Sequence, residues 1–152
     1  MATDLLSLVY QYRSLLGRRD VLGQRLSEEH ERRLQALEML FGWSSGERRD
    51  ERRRMARCPV AIPALVEASG KMGVTTIVDI SGEGLSLDRA PAAQPGDHIV
   101  VLVQDLHAGL EYRMPADVCW RRDEVSALGA RFVDLPVLIR HRRWALADGA
   151  SV

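Results

Sequence analysis

The chain has few of the residues that form covalent or metal cross-links. Its two cysteines, Cys58 and Cys119, form no C-x-x-C pair and have no histidine close by in the sequence. The four histidines are scattered, so no metal-ligand spacing is present. The sequence therefore predicts free thiols in a reducing compartment, with no metal site and no cofactor.

Net charge and long apolar runs are absent as well. The 21 basic residues balance the 21 acidic residues, so no overall field favours nucleic acid or an anionic membrane. The N-terminus lacks the charged start and unbroken apolar core of a secretory signal. Apolar runs are far shorter than the roughly 20 residues that span a membrane. These absences predict a cytoplasmic location, no membrane segment and no nucleic-acid partner.

The first 42 residues have the apolar spacing of helices, with stripes that recur at about 3.6 residues. Gly17 and Gly23 bracket a polar break between the two stripes. Ser27 is a candidate N-cap for the second helix, and Gly42 is a candidate residue just past its end. The stripes consist of Leu5, Leu8, Val9, Tyr12, Leu15 and Leu16, and of Leu34, Leu37, Leu40 and Phe41.

This pattern predicts a helical hairpin over residues 1–46. A hairpin this short cannot bury both stripes by itself, so they must pack on the rest of the chain or on a second copy. The polar linker around Ser44 and Gly46 would let the hairpin stand apart, which favours the second copy and a homo-oligomer.

From Cys58 onward the apolar period changes to two, which is typical of half-buried strands. Six such segments with turn residues between them indicate a mainly β, closed six-stranded antiparallel barrel. Pro136 begins a predicted C-terminal helix, and we expect this barrel-plus-helix domain to cover residues 58–148. The predicted strands are residues 58–66, 74–80, 84–88, 99–103, 111–120 and 125–133.

Two short segments carry the candidate chemistry. Six arginines lie within residues 48–57, part of an arginine-rich arm (residues 47–57) ahead of the first strand. About twenty residues later, residues 79–84 read Asp-Ile-Ser-Gly-Glu-Gly. Guanidinium groups match phosphate oxygens in bidentate geometry and stack on purines. A carboxylate and a hydroxyl can accept from and donate to the edge of a guanine. Together the segments predict a site for an anionic guanine nucleotide.

The order and spacing of these residues resemble the PilZ family, whose typical ligand is cyclic di-GMP. The pattern R-x-x-x-R (Arg53, Arg57) is followed by D-x-S-x-x-G (Asp79, Ser81, Gly84). The resemblance covers roughly residues 50 to 146 and includes a closing hairpin at residues 116–132.

The resemblance implies a role for each motif residue. Arg53 and Arg57 would bind phosphates and contact guanine, and Asp79 would accept from the guanine N1 and N2 hydrogens. Ser81 would add a polar contact, and Gly84 would permit a tight turn and close approach of the ligand. Arg52, just ahead of the motif, offers a further cation, which allows a stacked pair of ligands.

Glu83 stands where many members of the family have glycine, and its negative charge near a phosphate could weaken affinity. A structural alternative also stays open, in which the arginines pair with Asp50 and Glu51 while Asp79 and Ser81 hydrogen-bond their own turn. No nucleophile, general base or metal cluster is visible, so we expect no enzymatic activity.

The function that these features predict is a bacterial cyclic di-GMP receptor that signals by changing shape and contacting a protein partner. Regulation of motility, surface adhesion or polysaccharide would suit such a receptor. The main alternative is an interaction scaffold on the same fold that binds no nucleotide.

Overall fold

The structure, a computed structural model, describes residues 2–43 and 57–141. Within these residues, two helices are followed by seven strands. The helices are α1 (Ala2–Asp20) and α2 (Glu28–Trp43). The strands are β1 (Cys58–Ala68), β2 (Lys71–Ile80), β3 (Gly84–Asp88), β4 (His98–Asp105), β5 (Leu110–Arg122), β6 (Ala127–Phe132) and β7 (Val137–Arg140).

The first six strands close into a barrel, as the alternating sequence predicted. Each strand pairs antiparallel with its neighbours in the order β1, β2, β3, β6, β5, β4, and β4 returns to β1. The link between β1 and β2 is the two-residue turn Ser69-Gly70, in which both residues have positive φ. This backbone twist matches the twist of the strands that it joins. Closure gives each of these six strands a neighbour on both sides along at least part of its length.

Alternate side chains of each strand fill the interior of the barrel. On β3, for example, Leu85 and Leu87 are fully buried in the core, and on β6 Leu128 and Ala130 occupy the same layer. Because successive side chains of a strand point to opposite faces, Ser86 and Gly129 lie on the outer face.

The two helices pack on the barrel of their own chain. Ser27 caps α2 as predicted, since its Oγ accepts from the His30 N–H at 3.1 Å. Apolar residues of both helices belong to the same buried cluster as the barrel core, and the Tyr10 ring meets the Tyr112 ring edge-on at 5.6 Å. The buried helix residues include Leu6, Val9, Tyr12, Leu15, Leu34, Leu37 and Phe41. Most of the apolar surface that favoured a second copy is thus covered within one chain, while Leu40 stays exposed.

The glycines of the helical segment behave differently from the sequence prediction. Gly17 does not break the chain but lies inside α1, where a Cβ would come within 2.6 Å of Leu135 Cδ2. It therefore allows close packing against the segment after β6. Gly23, with φ of 64°, makes the turn instead. Gly42 is likewise part of α2, which continues to Trp43.

The predicted helix from Pro136 is wrong at residues 137–140, which form strand β7. β5 is long and pairs with β6 through its second half, so its first half has a free side next to the barrel. β7 pairs there in antiparallel register, with Glu111 opposite Ile139. An open edge and a run of β-branched and apolar residues outweigh the helix signal. Pro136 and His141 are not helical either, and residues 142–148 of the predicted helix lie outside the described residues.

The last barrel strand also begins later than predicted. Residues 123–125 form a short 3-10 helix, and Ser126 has a positive φ of 49° before β6 starts at Ala127. Within the described residues, no helix combines the length and the apolar character that crossing a membrane requires.

Candidate functional site

Arg57 lies immediately before β1 and connects two other strands. Its Nη1 donates to Asp79 Oδ1 on β2 at 2.8 Å and to Ser86 Oγ on β3 at 2.8 Å. The Arg57 and Asp79 side chains are mostly buried, with exposed fractions of 21% and 29%. One guanidinium therefore joins the carboxylate of the second motif to a hydroxyl on the neighbouring strand.

The strand register extends this contact into a row across four strands. Asp79 is opposite Ser86, Ser86 is opposite Gly129, and Gly129 is opposite Trp120. We call Asp79, Ser86, Gly129 and Trp120 the outer-face row. Neighbouring strands lie about 4.8 Å apart, so the row spans about 14 Å, the scale of a dinucleotide.

Trp120 forms an aromatic surface at one end of this row. A Cβ on Gly129 would lie 2.1 Å from Trp120 Nε1, so the indole ring rests directly on the glycine backbone. The guanidinium carbon of Arg122 lies 5.5 Å from the centre of the Trp120 ring. Indole rings stack on planar bases, and the Arg122 guanidinium lies over this one.

Ser81 and Gly84 build the turn at residues 81–84 instead of facing outward. Ser81 is 3% exposed, and its Oγ accepts from the backbone N–H groups of Glu83 at 3.1 Å and Gly84 at 3.2 Å. The Ser81 N–H donates to the Gly84 carbonyl oxygen at 2.8 Å. The hydroxyl is thus used within the turn. For Ser81 this agrees with the structural alternative, in which the side chain hydrogen-bonds its own turn.

Gly84 is required by the neighbouring strand. A Cβ there would lie 2.3 Å from the carbonyl oxygen of Ala130, a backbone atom that cannot move aside. The absence of a side chain lets β3 approach β6. The turn at residues 81–84 therefore ends β2 and starts β3 so that Asp79 and Ser86 stand side by side.

Glu83, the departure from the usual motif, lies close to the cationic Arg13 of α1. Its carbonyl oxygen accepts from the Phe132 N–H at 2.8 Å, and the Phe132 carbonyl accepts from Arg13 Nη2 of α1 at 3.3 Å. Burial lowers the pKa of the Arg13 guanidinium, and the negative charge of Glu83 acts in the opposite direction. Part of the Glu83 charge is therefore offset from within the chain.

The structure brings some of the predicted site residues together and leaves others aside. Arg57 and Asp79 are in contact, while Ser81 and Gly84 shape the turn next to them. Arg52 and Arg53 lie outside the described residues, as do Asp50 and Glu51, and Arg57 pairs with Asp79.

Sequence reasoning missed Ser86, Gly129 and Trp120. Their placement depends on how β3, β6 and β5 align, which short motifs do not specify. A usable signal was present for Ser86, a small polar residue between two leucines of a strand. A glycine facing a tryptophan across a predicted hairpin was a second signal, since such a pair allows the ring to lie on the backbone.

Comparison with known proteins assigns this arrangement to a family. The pattern of the PilZ domain matches residues 47–143, more than half of the chain. No curated protein matches the chain in sequence.

Among solved structures, the chain is similar to the Bacillus subtilis inhibitor of motility MotI/DgrA, with a TM-score of 0.45 and 14% identity over 58% of this chain. The aligned part is 46% of MotI/DgrA, so the chain spans about half the length of that protein. It is also similar to the PilZ domain of CeSA from a cellulose-synthesizing bacterium, with a TM-score of 0.44 and 15% identity. That alignment covers 64% of this chain and 99% of the CeSA domain. From the match over residues 47–143, the chain belongs to the PilZ domain family.

Proposed function

We propose that this protein is a cyclic di-GMP receptor whose site is the outer-face row together with the arginine arm. The observation that supports the proposal is the contact of Arg57 with Asp79 and Ser86. In the proposal the guanidinium would bind a phosphate and the carboxylate beside it would bind a guanine. Family membership supplies the ligand class, since cyclic di-GMP is the typical ligand of PilZ domains.

Each group in the row has a chemical use in this proposal. The Asp79 carboxylate accepts from N1–H and N2–H of a guanine, and the guanidinium of Arg57 binds a phosphate. The Trp120 ring stacks on a base at the other end of the row. Arg52 and Arg53 complete the phosphate contacts from the arm, as the family resemblance implies.

Binding requires Arg57 to exchange partners. In the structure the Arg57 guanidinium and the Asp79 carboxylate form an ion pair at 2.8 Å. The ligand would replace this pair with an arginine–phosphate contact and a carboxylate–guanine contact, so that neither charge is left without a partner. Arg57 changes its contacts in this exchange, and that rearrangement is the change of shape that a protein partner would read.

An interaction scaffold without nucleotide binding is the second candidate. Two observations favour it: Arg57 already has two acceptors, and the Ser81 hydroxyl is used inside its turn. In that case the Arg57–Asp79 pair would hold the start of β1 against β2, and the domain would act through its surface alone.

Calorimetric titration separates these candidates. We expect cyclic di-GMP to bind and GTP and GMP to bind far more weakly, because the two phosphates and two guanines of the cyclic ligand can use both ends of the row. Asp79→Ala should weaken binding, whereas Glu67→Gln, an exposed carboxylate on β1, should not. Absence of heat with cyclic di-GMP at hundreds of micromolar concentration would favour the scaffold.

Ligand number and self-association extend the proposal. Two stacked ligands per chain would require Arg52, so a stoichiometry of one that is unchanged in Arg52→Ala would rule out the stacked pair. Self-association through the helices would have to use apolar residues that stay exposed, such as Met39 and the stripe residue Leu40 of α2. Sedimentation with and without cyclic di-GMP tests this point, and a monomer in both conditions would exclude it.

A further inference from the structure

A cleft lies between α1 and the start of α2, on a part of the molecule that the proposed receptor site does not use. Its volume is about 520 Å³, and residues of both helices line it. Tyr10, Ser14 and Arg18 face it from α1, while Glu29 and Arg33 face it from α2. This volume lies in the range of clefts that hold small molecules.

The positive charge in this cleft is only partly neutralised. Arg33 donates through Nε at 3.2 Å and through Nη2 at 2.7 Å to Gln11 Oε1, an acceptor that carries no charge. Among the described residues, Arg18 has no carboxylate within ion-pair distance, and its Nε is buried without an acceptor. Buried donors in native proteins nearly always have a partner, so the Arg18 Nε–H lacks one that it would ordinarily have.

Three further charged groups, Arg32, Glu28 and Glu29, set the balance of charge in the cleft. Arg32 pairs with Glu28 at 3.0 Å, but both side chains are highly exposed, so water weakens this pair. Glu29 is the carboxylate that lines the cleft itself. The two positive charges of Arg18 and Arg33 therefore exceed the single negative charge of Glu29 in the cleft.

Gln11 gives the Arg33 fork a fixed direction. Its amide Nε2 donates to Ser7 Oγ at 3.3 Å, and the same amide's Oε1 receives both Arg33 donors. A guanidinium held in this way across two helices loses less conformational entropy on binding an anion than a free arginine would. Tyr10 and Leu15 add apolar surface beside the cations.

We propose that this cleft binds a small organic phosphate, with Arg18 and Arg33 on the phosphoryl oxygens and Tyr10 and Leu15 against the carbon skeleton. The two guanidinium groups match a phosphoryl group, which offers more oxygens than a single carboxylate. Glu29 accepts from a hydroxyl of the ligand, and it repels a ligand that is anionic at both ends. The ligand class is thus a hydroxylated phosphate monoester, such as a sugar phosphate.

The test uses the full-length protein and ribose 5-phosphate as the probe in a calorimetric titration. We expect saturable binding with one site per chain. The affinity should fall at least about tenfold in Arg18→Gln and in Arg33→Gln, because a charge-assisted contact to phosphate is lost in each. Arg33 is exposed, so its variant tests the site even if Arg18→Gln does not fold.

Three controls can overturn the proposal. Arg25→Gln, an exposed arginine outside the cleft, should bind like the unmodified chain, and an equal loss there would mean a general charge effect. Malonate should bind more weakly, and equal binding would remove the assignment to phosphate. If the titration shows no saturation at about 10 mM probe, any binding is weaker than about 3 kcal/mol, and the site is excluded. Asp79→Ala should leave this binding unchanged, which separates it from the receptor site.

Discussion

The turn at residues 81–84 and the outer-face row use similar polar groups in different ways. In the turn, the Ser81 hydroxyl and the amides around it bond to one another, and Gly84 gives room to a neighbouring strand. In the row, Asp79 and Ser86 bond to an arginine that comes from outside the barrel, and Trp120 covers a glycine. The turn therefore serves the fold, and the row is the part of the surface that we propose for the ligand. Residues of one short motif can thus divide between these two tasks.

Replacing Arg57 should have the largest effect on binding. We expect Arg57→Ala to weaken cyclic di-GMP binding about a hundredfold, because charge-assisted contacts contribute about 1.5–3 kcal/mol each. The affinity of Arg57→Lys should lie between those of Arg57→Ala and the unmodified chain, because lysine keeps the charge and loses the bidentate geometry of the guanidinium. Calorimetry measures both, with Arg25→Ala as the control for charge. Unchanged affinity in Arg57→Ala would place the site elsewhere.

Gly84→Ala should have the largest effect on stability. Its Cβ would lie 2.3 Å from the Ala130 carbonyl oxygen, so β3 and β6 would have to separate. We expect the free energy of unfolding to fall by about 1–3 kcal/mol, as other overpacked sites show. Denaturant unfolding measures this change. The matched control is Gly73→Ala, whose Cβ would meet Pro91 Cβ at an ordinary 3.8 Å. Equal stability of the two variants would contradict the role given to Gly84.

Gly129→Ala tests the row with a smaller expected change. The new methyl group would occupy the position of the indole, so the Trp120 ring must swing away from the sheet. Loss of a stacking surface contributes about 1–3 kcal/mol per base, so binding should weaken about tenfold. Trp120→Ala should have the same effect, and the double variant should be no worse than either single one. Full affinity in both single variants would remove Trp120 from the site.

Ser81→Ala should have the smallest effect, and it should affect stability rather than binding. Loss of a hydroxyl that accepts two amide N–H groups should cost about 1 kcal/mol of unfolding free energy. Ligand affinity should change little, because the hydroxyl lies inside the turn. If affinity falls while stability is kept, Ser81 contacts the ligand as the family resemblance implies, and the division between turn and row is wrong at this residue.

The sequence predicted the barrel well because its signals are local. Alternating residues such as those around Leu85 and Leu87 identify strands, and the Ser69-Gly70 turn marks a hairpin. The prediction failed at residues 137–140 because their structure depends on the free side of β5. The sequence of residues 137–140 does not show that this side is available. Gly17 was wrongly predicted to lie at a break between the helices for a related reason. The residue that it packs against, Leu135, is distant in sequence.

The same distinction between local signals and contacts distant in sequence applies to the candidate site. The motifs identified Arg57 and Asp79, which the structure shows in contact. Ser86, Gly129 and Trp120 join them through strand register, which depends on the whole sheet. The use of Ser81 inside the turn also required coordinates, since a serine in a turn can face either way.

Amide and indole NMR spectra of the full-length protein during titration with cyclic di-GMP test the central claim most directly. Trp120 carries an indole N–H that rests on Gly129, so it reports on the row itself. We predict that the largest shifts occur at Asp79, Ser86, Gly129 and the Trp120 indole, with small changes in the cleft between α1 and α2. Saturable shifts that leave this row unchanged, or no shifts at all, would contradict the assignment of the ligand site to the outer face of the barrel.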